Sequence, residues 1–78
     1  MVTIAYFGYF PVTFPATVEV TPGETIRELI TRLLEGQNIT TEEFFDEHIV
    51  VKNGSSTYED TPVYDGDKVS IFPPSTMG

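Results

Sequence analysis

Residues 65–74, with the sequence DGDKVSIFPP, place a turn, a strand and a double proline in immediate succession. The leading Asp-Gly-Asp favours a tight turn, because glycine and aspartate tolerate the backbone angles of turns. The next five residues alternate, with branched aliphatic side chains on one face. Pro73 and Pro74 end the strand, since proline has no amide hydrogen to donate to a sheet. The stretch predicts a final strand from Lys68 to Phe72 and a stiff exit of the chain.

The sequence continues past the double proline for four residues and ends in Met77-Gly78. We therefore expect a folded domain over residues 1–72 and a flexible tail over residues 73–78. A terminal glycine leaves its carboxyl carbon uncrowded, because glycine has no Cβ. Such an end suits a partner enzyme that threads the chain terminus into a narrow channel and activates it. Gly78 is therefore a candidate reactive residue.

The composition is that of one small folded domain. Its 78 residues, 40% of them hydrophobic, form a thin core, since chains of this size bury only about 60% of their unfolded surface. The absence of cysteine excludes disulfides, thiolate metal sites and cysteine nucleophiles. No basic segment follows Met1, and no apolar run is long enough to span a membrane. We expect a cytoplasmic protein.

The charge is strongly acidic, with a net value of −8 and only four lysines and arginines. Nucleic acids and anionic membranes are disfavoured as partners, because both require a cationic face. An acidic chain can be steered toward a basic docking surface on a protein partner. The acidic side chains can equally serve only to solvate the surface, and charge alone does not separate the two interpretations.

The first half of the chain predicts a hairpin and a capped helix. Residues 2–7 alternate as a strand, and residues 16–20 form a second strand that pairs with it. Thr25 and Glu28 form a capping box, and Glu28 is spaced to pair with Arg32 one turn later. The helix carries one apolar stripe, formed by Ile26, Leu29, Ile30, Leu33 and Leu34.

The second half adds a short helical segment and further strands. Residues 40–47 resemble one helical turn with acidic residues near its positive end. Residues 49–52 predict a strand that ends at the turn dipeptide Asn53-Gly54, and residues 55–59 predict a weak edge strand. The order predicts an α+β fold of the β-grasp type. In that fold a mixed sheet of four to five strands packs on one main helix, with the first and last strands parallel at its centre.

Alternation along the central strands places two phenylalanines on the face away from the helix. If the even-numbered residues of the first strand face the helix, Phe7 faces solvent, and the same reasoning applies to Phe72. Neighbouring parallel strands end at the same edge, so the two rings would form an apolar docking patch beside the tail. In the alternative arrangement, Phe7 is covered by its own loop, through Tyr9, Phe10 and Phe14.

Catalysis by the chain itself is not indicated. His48 lies beside Asp46 and Glu47, but a metal site needs three or four converging ligands at definite spacing. We interpret His48 as a surface or strand-start histidine. A nucleophilic serine motif and a phosphate-binding glycine loop are both missing from the sequence. We therefore predict neither an enzyme nor a metal site nor a bound cofactor.

Four segments, in this order and spacing, resemble the MoaD/ThiS family of ubiquitin-like sulfur carriers, on the MoaD side. Residues 4–8, IAYFG, resemble the opening strand of that family, and residues 17–29 resemble its strand, turn and helix. Residues 50–54, VVKNG, are similar to its hairpin. Residues 60–74, DTPVYDGDKVSIFPP, are similar to the family pattern D-T-P-L-x-D-G-D-E-V-x-x-x-P-P. This last block is the most specific, and the resemblance covers nearly the whole chain.

The resemblance implies a carrier that is not itself a catalyst. In the family, an E1-like enzyme adenylates the terminal glycine carboxylate with ATP, and sulfur transfer then gives a thiocarboxylate for molybdopterin, thiamine or tRNA-thiolation pathways. By position, Gly78 is the reactive residue. The implied partners are an E1-like adenylating enzyme and a MoaE-like or other sulfur-accepting enzyme. The implied partner-contact residues are Phe7, Phe72, Pro73, Pro74 and Met77.

The chain departs from the family at two places. The family ends in Gly-Gly, whereas this chain ends in Met77-Gly78, and the family's common Arg-Glu after the first strand is missing. A penultimate glycine passes where a side chain would clash, although methionine is slender and flexible. Two alternatives therefore stay open. One is a non-catalytic interaction module whose tail is not activated, and the other is a modifier that conjugates Gly78 to lysines.

Overall fold

Seven elements follow one another in the order ββααβββ. The computed structural model describes residues 1–74. The elements are β1 (Val2–Tyr6), β2 (Thr17–Val18), α1 (Ile26–Leu33), α2 (Thr41–Asp46), β3 (Ile49–Lys52), β4 (Ser55–Ser56) and β5 (Lys68–Phe72). Over these residues, no helix has both the length and the apolar character needed to cross a membrane.

The five strands form one mixed sheet in the order β2-β1-β5-β3-β4. β1 and β5 run parallel at the centre, with Ile4 opposite Val69 and Tyr6 opposite Ile71. β2 pairs antiparallel with β1, and β3 pairs antiparallel with β5. The predicted ubiquitin-like β-grasp fold is confirmed, including its parallel central pair. The edge strands β2 and β4 are shorter than predicted, since each pairs over two residues.

α1 begins with the predicted capping box. The amide of Thr25 donates to Glu28 Oε1 at 2.9 Å, and the amide of Glu28 donates to Thr25 Oγ1 at 3.1 Å. Because the Glu28 carboxylate serves the cap, the predicted pair between Glu28 and Arg32 is wrong. Arg32 Nε instead donates to Glu24 Oε2 at 3.0 Å. This hydrogen bond holds the pKa of Glu24 below its ordinary value of 4.5.

One face of α1 covers the inner face of the sheet. Ile26, Leu29 and Ile30 are fully buried, as the apolar stripe predicts. Burying such a side chain stabilises a fold by about 1.5–3 kcal/mol. The conformational entropy lost on folding is of similar size to the total gain from all buried side chains, and it opposes folding. The domain therefore depends on this single cluster. Its members are Val2, Ile4, Ile26, Leu29, Ile30, Leu34, Phe44, Val50, Val63, Val69 and Ile71.

α2 adds an aromatic side to the core. Thr40 caps this helix in the same way that Thr25 caps α1, and Phe44 is fully buried. His48 directly precedes β3, but only 5% of it is exposed. The prediction of a surface histidine is therefore wrong, whereas its position at the start of a strand is confirmed. The imidazole stacks on Phe44, with 4.1 Å between the ring centroids, and this packing removes it from solvent.

Hydrogen bonds join two turns at the start of β5. Asn53 and Gly54 have φ values of 53° and 86°, as a type I′ hairpin turn requires. Asn53 Oδ1 accepts from the Lys68 amide at 2.8 Å, and Asn53 Nδ2 donates to Asp67 Oδ1 at 2.9 Å. Asp67 Oδ2 accepts from the Tyr64 amide at 2.8 Å. The bond from the Tyr64 amide, followed by that from Asn53, holds the pKa of Asp67 below its ordinary value of 3.8.

Replacing Asp67 by Asn should destabilise the fold at neutral pH by about 1 kcal/mol, because charge-assisted hydrogen bonds to two turns are lost. A carboxyl group whose pKa is lowered by folding stabilises the native state at pH values above its ordinary pKa. That stabilisation disappears as the pH falls through the lowered pKa. Urea unfolding measures the free energy of unfolding of both proteins. The difference in this free energy between wild type and Asp67→Asn should therefore be smaller at about pH 3 than at about pH 7.

The matched control is Asp60→Asn, which removes an exposed carboxylate of the same charge. The free energy of unfolding of Asp60→Asn should depend on pH in the same way as that of the wild type. A deficit of Asp67→Asn that stays constant between neutral and acid pH would contradict the stabilising role assigned to the ionised carboxylate.

Candidate functional site

The ends of β1 and β5 meet at one edge of the sheet, as their parallel pairing requires. The Phe7 amide donates to the carbonyl oxygen of Ile71 at 2.8 Å and so extends the pairing one residue beyond β1. The chain leaves this edge through Pro73, which is half-buried, and Pro74, which is exposed. Outside the described residues lie two of the predicted site residues, Met77 and Gly78.

Phe7 and Phe72 lie side by side on the outer face of the sheet at this edge. Their ring centroids are 4.9 Å apart and their planes differ by 10°. Phe7 is 55% exposed and Phe72 is half-buried. The alternative in which the loop covers Phe7 is wrong. Tyr9 is 87% exposed, and Phe10 and Phe14 pack instead against the buried phenylalanine of α2, at 6.2 and 5.7 Å between centroids.

Ile49 extends this pair to a third strand. The register of β3 against β5 places Ile49 directly opposite Phe72, and 47% of Ile49 is exposed. We name three residues the apolar row: Phe7, which directly follows β1, Phe72, which ends β5, and Ile49, which begins β3. The sequence reasoning missed Ile49, although its alternation with buried Val50 would have placed it on the outer face.

Acidic side chains outnumber basic ones in the chain, and two of them are exposed near this edge. Three of the four basic side chains contact carboxylates within residues 1–74, in the pairs Arg27–Glu42, Arg27–Glu59, Arg32–Glu24 and Lys52–Asp67. Asp46 and Glu47 are exposed and come just before Ile49 in the chain, at the end of the sheet where the apolar row lies. This distribution favours a partner surface in which basic residues surround an apolar pocket.

The described part of the chain offers recognition chemistry at this edge. Within residues 1–74, no three His, Cys, Asp or Glu side chains are grouped to hold a metal ion. The ring nitrogens of His48 are both hydrogen-bonded, Nε2 with Tyr6 Oη at 2.9 Å and Nδ1 with the carbonyl oxygen of Phe44 at 2.8 Å. The exposed groups at the edge are the apolar row and the carboxylates of Asp46 and Glu47.

Residues 6–76 match the sequence model of the ThiS family. The chain belongs to the ThiS family. No curated protein matches it significantly. The crystal structure of SAMP1 from Haloferax volcanii is similar over 96% of this chain and 98% of that chain, with a TM-score of 0.61 and 21% sequence identity. This similarity shows that the two chains share a fold.

Membership in the ThiS family confirms the resemblance found in the sequence. ThiS-family proteins are small ubiquitin-like carriers that work with E1-like activating enzymes and are generally not catalysts themselves. In this ThiS-family chain, the apolar row lies at the sheet edge where β5 ends and Pro73-Pro74 begins. A partner that docks on the row would therefore contact the domain next to the start of the tail.

The stack of Phe7 on Phe72 should appear as an energetic coupling in solution. Aromatic pairs in such geometry couple by about 0.5–1.5 kcal/mol beyond their buried area, and the exposure of Phe7 places this pair toward the low end. A double-mutant cycle of Phe7→Ala and Phe72→Ala, followed by urea unfolding, measures the coupling. The control cycle pairs Phe7 with Tyr64, an exposed aromatic residue near the opposite end of β5, and should show none. Absence of coupling between Phe7 and Phe72 would contradict the stack.

Proposed function

We propose that this chain is a sulfur carrier for molybdopterin-type cofactor biosynthesis. In this proposal, an E1-like enzyme adenylates the carboxylate of Gly78, which is then converted to a thiocarboxylate. The observation that supports it is the apolar row, which projects outward at the sheet edge where the last strand ends. A recognition surface at that edge would let one partner hold the domain and reach the tail at the same time.

The chemistry requires only the terminal carboxylate from this chain. One oxygen of Gly78 attacks the α-phosphorus of ATP, pyrophosphate leaves, and a mixed anhydride with AMP forms. A sulfur nucleophile at the oxidation state of hydrosulfide, supplied by the partner, then attacks the carboxyl carbon, and AMP leaves with the bridging oxygen. The product is the thiocarboxylate. Glycine suits both steps because its Cα carries no Cβ that would crowd the carboxyl group.

The folded domain supplies binding free energy for this reaction. Phe7 and Ile49 are about half exposed and so have apolar surface left to lose on docking. Complete burial of such a side chain is favourable by about 1.5–3 kcal/mol, and aromatic anchors commonly dominate interface energetics. Pro73-Pro74 restricts the directions in which the tail can leave, because the proline ring fixes φ. We therefore assign partner contact to Phe7, Ile49, Phe72, Pro73, Pro74 and Met77.

In this proposal, the negative charge of the chain increases the rate at which the partner associates with it. A net charge of −8 and the exposed acids Asp46 and Glu47 attract a basic surface at long range. Such steering acts mainly on the association rate and weakens as salt screens it. The apolar row then determines how long the complex lasts.

Incubation with an E1-like partner, ATP and a sulfide source should increase the intact mass by about 16 Da, since one carboxyl oxygen is replaced by sulfur. Mass spectrometry of the intact chain and of its C-terminal peptide measures the increment and places it. Deletion of Met77-Gly78 should abolish it. The matched variant Met77→Gly, which restores the family's Gly-Gly ending, should react at least as fast as the wild type. An unchanged mass with every cognate E1-like partner, in both wild type and Met77→Gly, would overturn the proposal.

Replacing Phe72 or Phe7 by Ala should weaken docking to the same E1-like partner by about 10- to 100-fold, as expected for an anchor worth 1.4–2.8 kcal/mol. Titration calorimetry measures this change. Tyr64→Ala is the control, because Tyr64 is similarly exposed, at 51%, but lies outside the apolar row. Equal affinities for Phe72→Ala, Phe7→Ala and Tyr64→Ala would contradict the assignment of the row to docking.

A second candidate function is supported by Met77, which stands where the family has its penultimate glycine. If the side chain of Met77 blocks entry to the activating site, the chain is a non-catalytic interaction module that docks through the apolar row. Binding and cellular function would then survive deletion of Met77-Gly78, whereas a carrier would lose its function. An isopeptide adduct between Gly78 and a lysine of another protein would instead identify a protein modifier.

A further inference from the structure

The outer face of the sheet continues from the apolar row in two further rows, toward the other end of the central strands. Ala5 lies opposite Ser70, and Ser70 lies opposite Val51, so these three residues form the second row. All three are half-buried, and their side chains are small. Thr3 lies opposite Lys68 in the third row. The outer face therefore passes from bulky apolar side chains across a low floor to a polar row.

The only charge on these three rows is the ammonium group of Lys68, which is exposed. Within residues 1–74, the five strands contain neither Asp nor Glu, although the chain has twelve of these residues. Over the same residues, Lys68 is the one basic side chain that contacts no carboxylate, whereas Arg27, Arg32 and Lys52 each contact one. The outer face thus carries an isolated positive charge on an otherwise acidic chain.

The sequence pattern of the family has the opposite charge at this position. In the pattern D-T-P-L-x-D-G-D-E-V, glutamate stands where this chain has Lys68. The residues on both sides agree with the pattern, since Asp65-Gly66-Asp67 precede Lys68 and Val69 follows it. The difference is therefore a reversal of charge at one position and not a shift of register.

Lys68 stands at a fixed distance from the apolar row. Lys68 and Phe72 begin and end β5, four positions apart and on the same face. A strand advances about 3.3 Å per residue, so their Cα atoms are about 13 Å apart. The exposed acids Asp46 and Glu47 lie at the other end, just before Ile49. Along the strands, the order is therefore negative charge, apolar row, neutral floor and positive charge.

We propose that the docking surface for the E1-like partner extends from the apolar row across the second row to Lys68, and that the partner presents a carboxylate to Lys68. Such a partner carries basic residues beside its apolar pocket and an acidic residue about 13 Å away, along the direction of β5. The identity of the partner rests on the function proposed above. The order of charges does not, since it belongs to the free domain.

The ion pair at Lys68 would determine which way round the partner docks. In the reversed orientation, the partner's acidic residue would face Asp46 and Glu47, and its basic residues would face Lys68. Like charges placed opposite each other in an interface are unfavourable, so this orientation is rejected. The remaining orientation directs one end of the partner to Pro73-Pro74, where the tail begins. Lys68 is thus a positioning residue that takes no part in the reaction at Gly78.

Titration calorimetry of the full chain with the E1-like partner tests this assignment. Lys68→Gln should weaken docking by about threefold, because an exposed ion pair contributes little. Lys68→Glu should weaken it by more than about tenfold, because it places like charges opposite each other. Lys68→Arg keeps the charge and should bind within about twofold of the wild type. Both losses should become smaller as salt rises from about 0.05 to 0.5 M, since salt screens the pair, whereas a loss caused by altered packing would not.

The matched control is Asn38→Asp, which gives the chain the same net charge as Lys68→Gln. Asn38 is exposed and lies between α1 and α2, outside the strands. Its φ of 58° is one that aspartate also adopts. Asn38→Asp should bind at least as tightly as the wild type. Urea unfolding of each variant shows whether the fold keeps its stability, which the change at the exposed Lys68 side chain should leave nearly unaltered.

Equal affinities of the wild type, Lys68→Gln and Lys68→Glu would overturn the proposal. A loss in Asn38→Asp as large as that in Lys68→Gln would overturn it as well, because net charge would then be the cause. So would the absence of docking to every E1-like enzyme tested.

These outcomes are distinct from those that test the carrier function. A chain that gains sulfur at Gly78 while Lys68→Glu docks like the wild type would refute the role of Lys68 and leave the carrier intact. Docking that depends on Lys68 in a chain that never gains sulfur would do the reverse.

Discussion

The parallel pairing of β1 with β5 is the interaction on which the rest of the structure depends. It joins two segments more than 60 positions apart in sequence, with Thr3 opposite Lys68 and Tyr6 opposite Ile71. Because both strands run the same way, their last residues arrive at one edge, where Phe7 stacks on Phe72 and the chain enters Pro73-Pro74. An antiparallel pairing would place Phe7 at the far end of the sheet. The apolar row and Pro73-Pro74 share an edge for this reason.

The two faces of the sheet differ at this edge, because successive residues of each strand point to opposite sides. On the inner side, alternate residues pack on α1 and on the aromatic ring of Phe44, and Tyr6 Oη forms a hydrogen bond with His48 Nε2. On the outer side, the residues next in sequence form the apolar row. Tyr6 and His48 are therefore each one residue away from a member of the apolar row, Phe7 and Ile49. In a chain of 78 residues the core is thin, so its members and the apolar row lie on opposite faces of the same strands.

Much of this arrangement could be predicted from the sequence, because local signals specified it. The bounds of β5 and the cap at Thr25 follow from alternation and turn chemistry, and the outward position of Phe7 follows from period two. The two misses at the sheet edge, His48 and Ile49, depended on packing between distant segments. The burial of His48 has a partner that local patterns do not reveal, since the Tyr6 hydroxyl, 42 positions away in sequence, reaches its ring only in the folded sheet. Alternation with Val50 predicts the face of Ile49, but its place beside Phe72 depends on the register of β3 against β5, which no short stretch encodes.

In the proposed function, one partner binds the apolar row and the tail at the same time. Hydrogen exchange followed by mass spectrometry, with and without the E1-like partner, measures both contacts in one experiment. We expect simultaneous protection of peptides that contain Phe7, Ile49 and the segment from Phe72 to Gly78, with little change in peptides from α1. Protection confined to the tail, or protection of α1 in place of the apolar row, would contradict it.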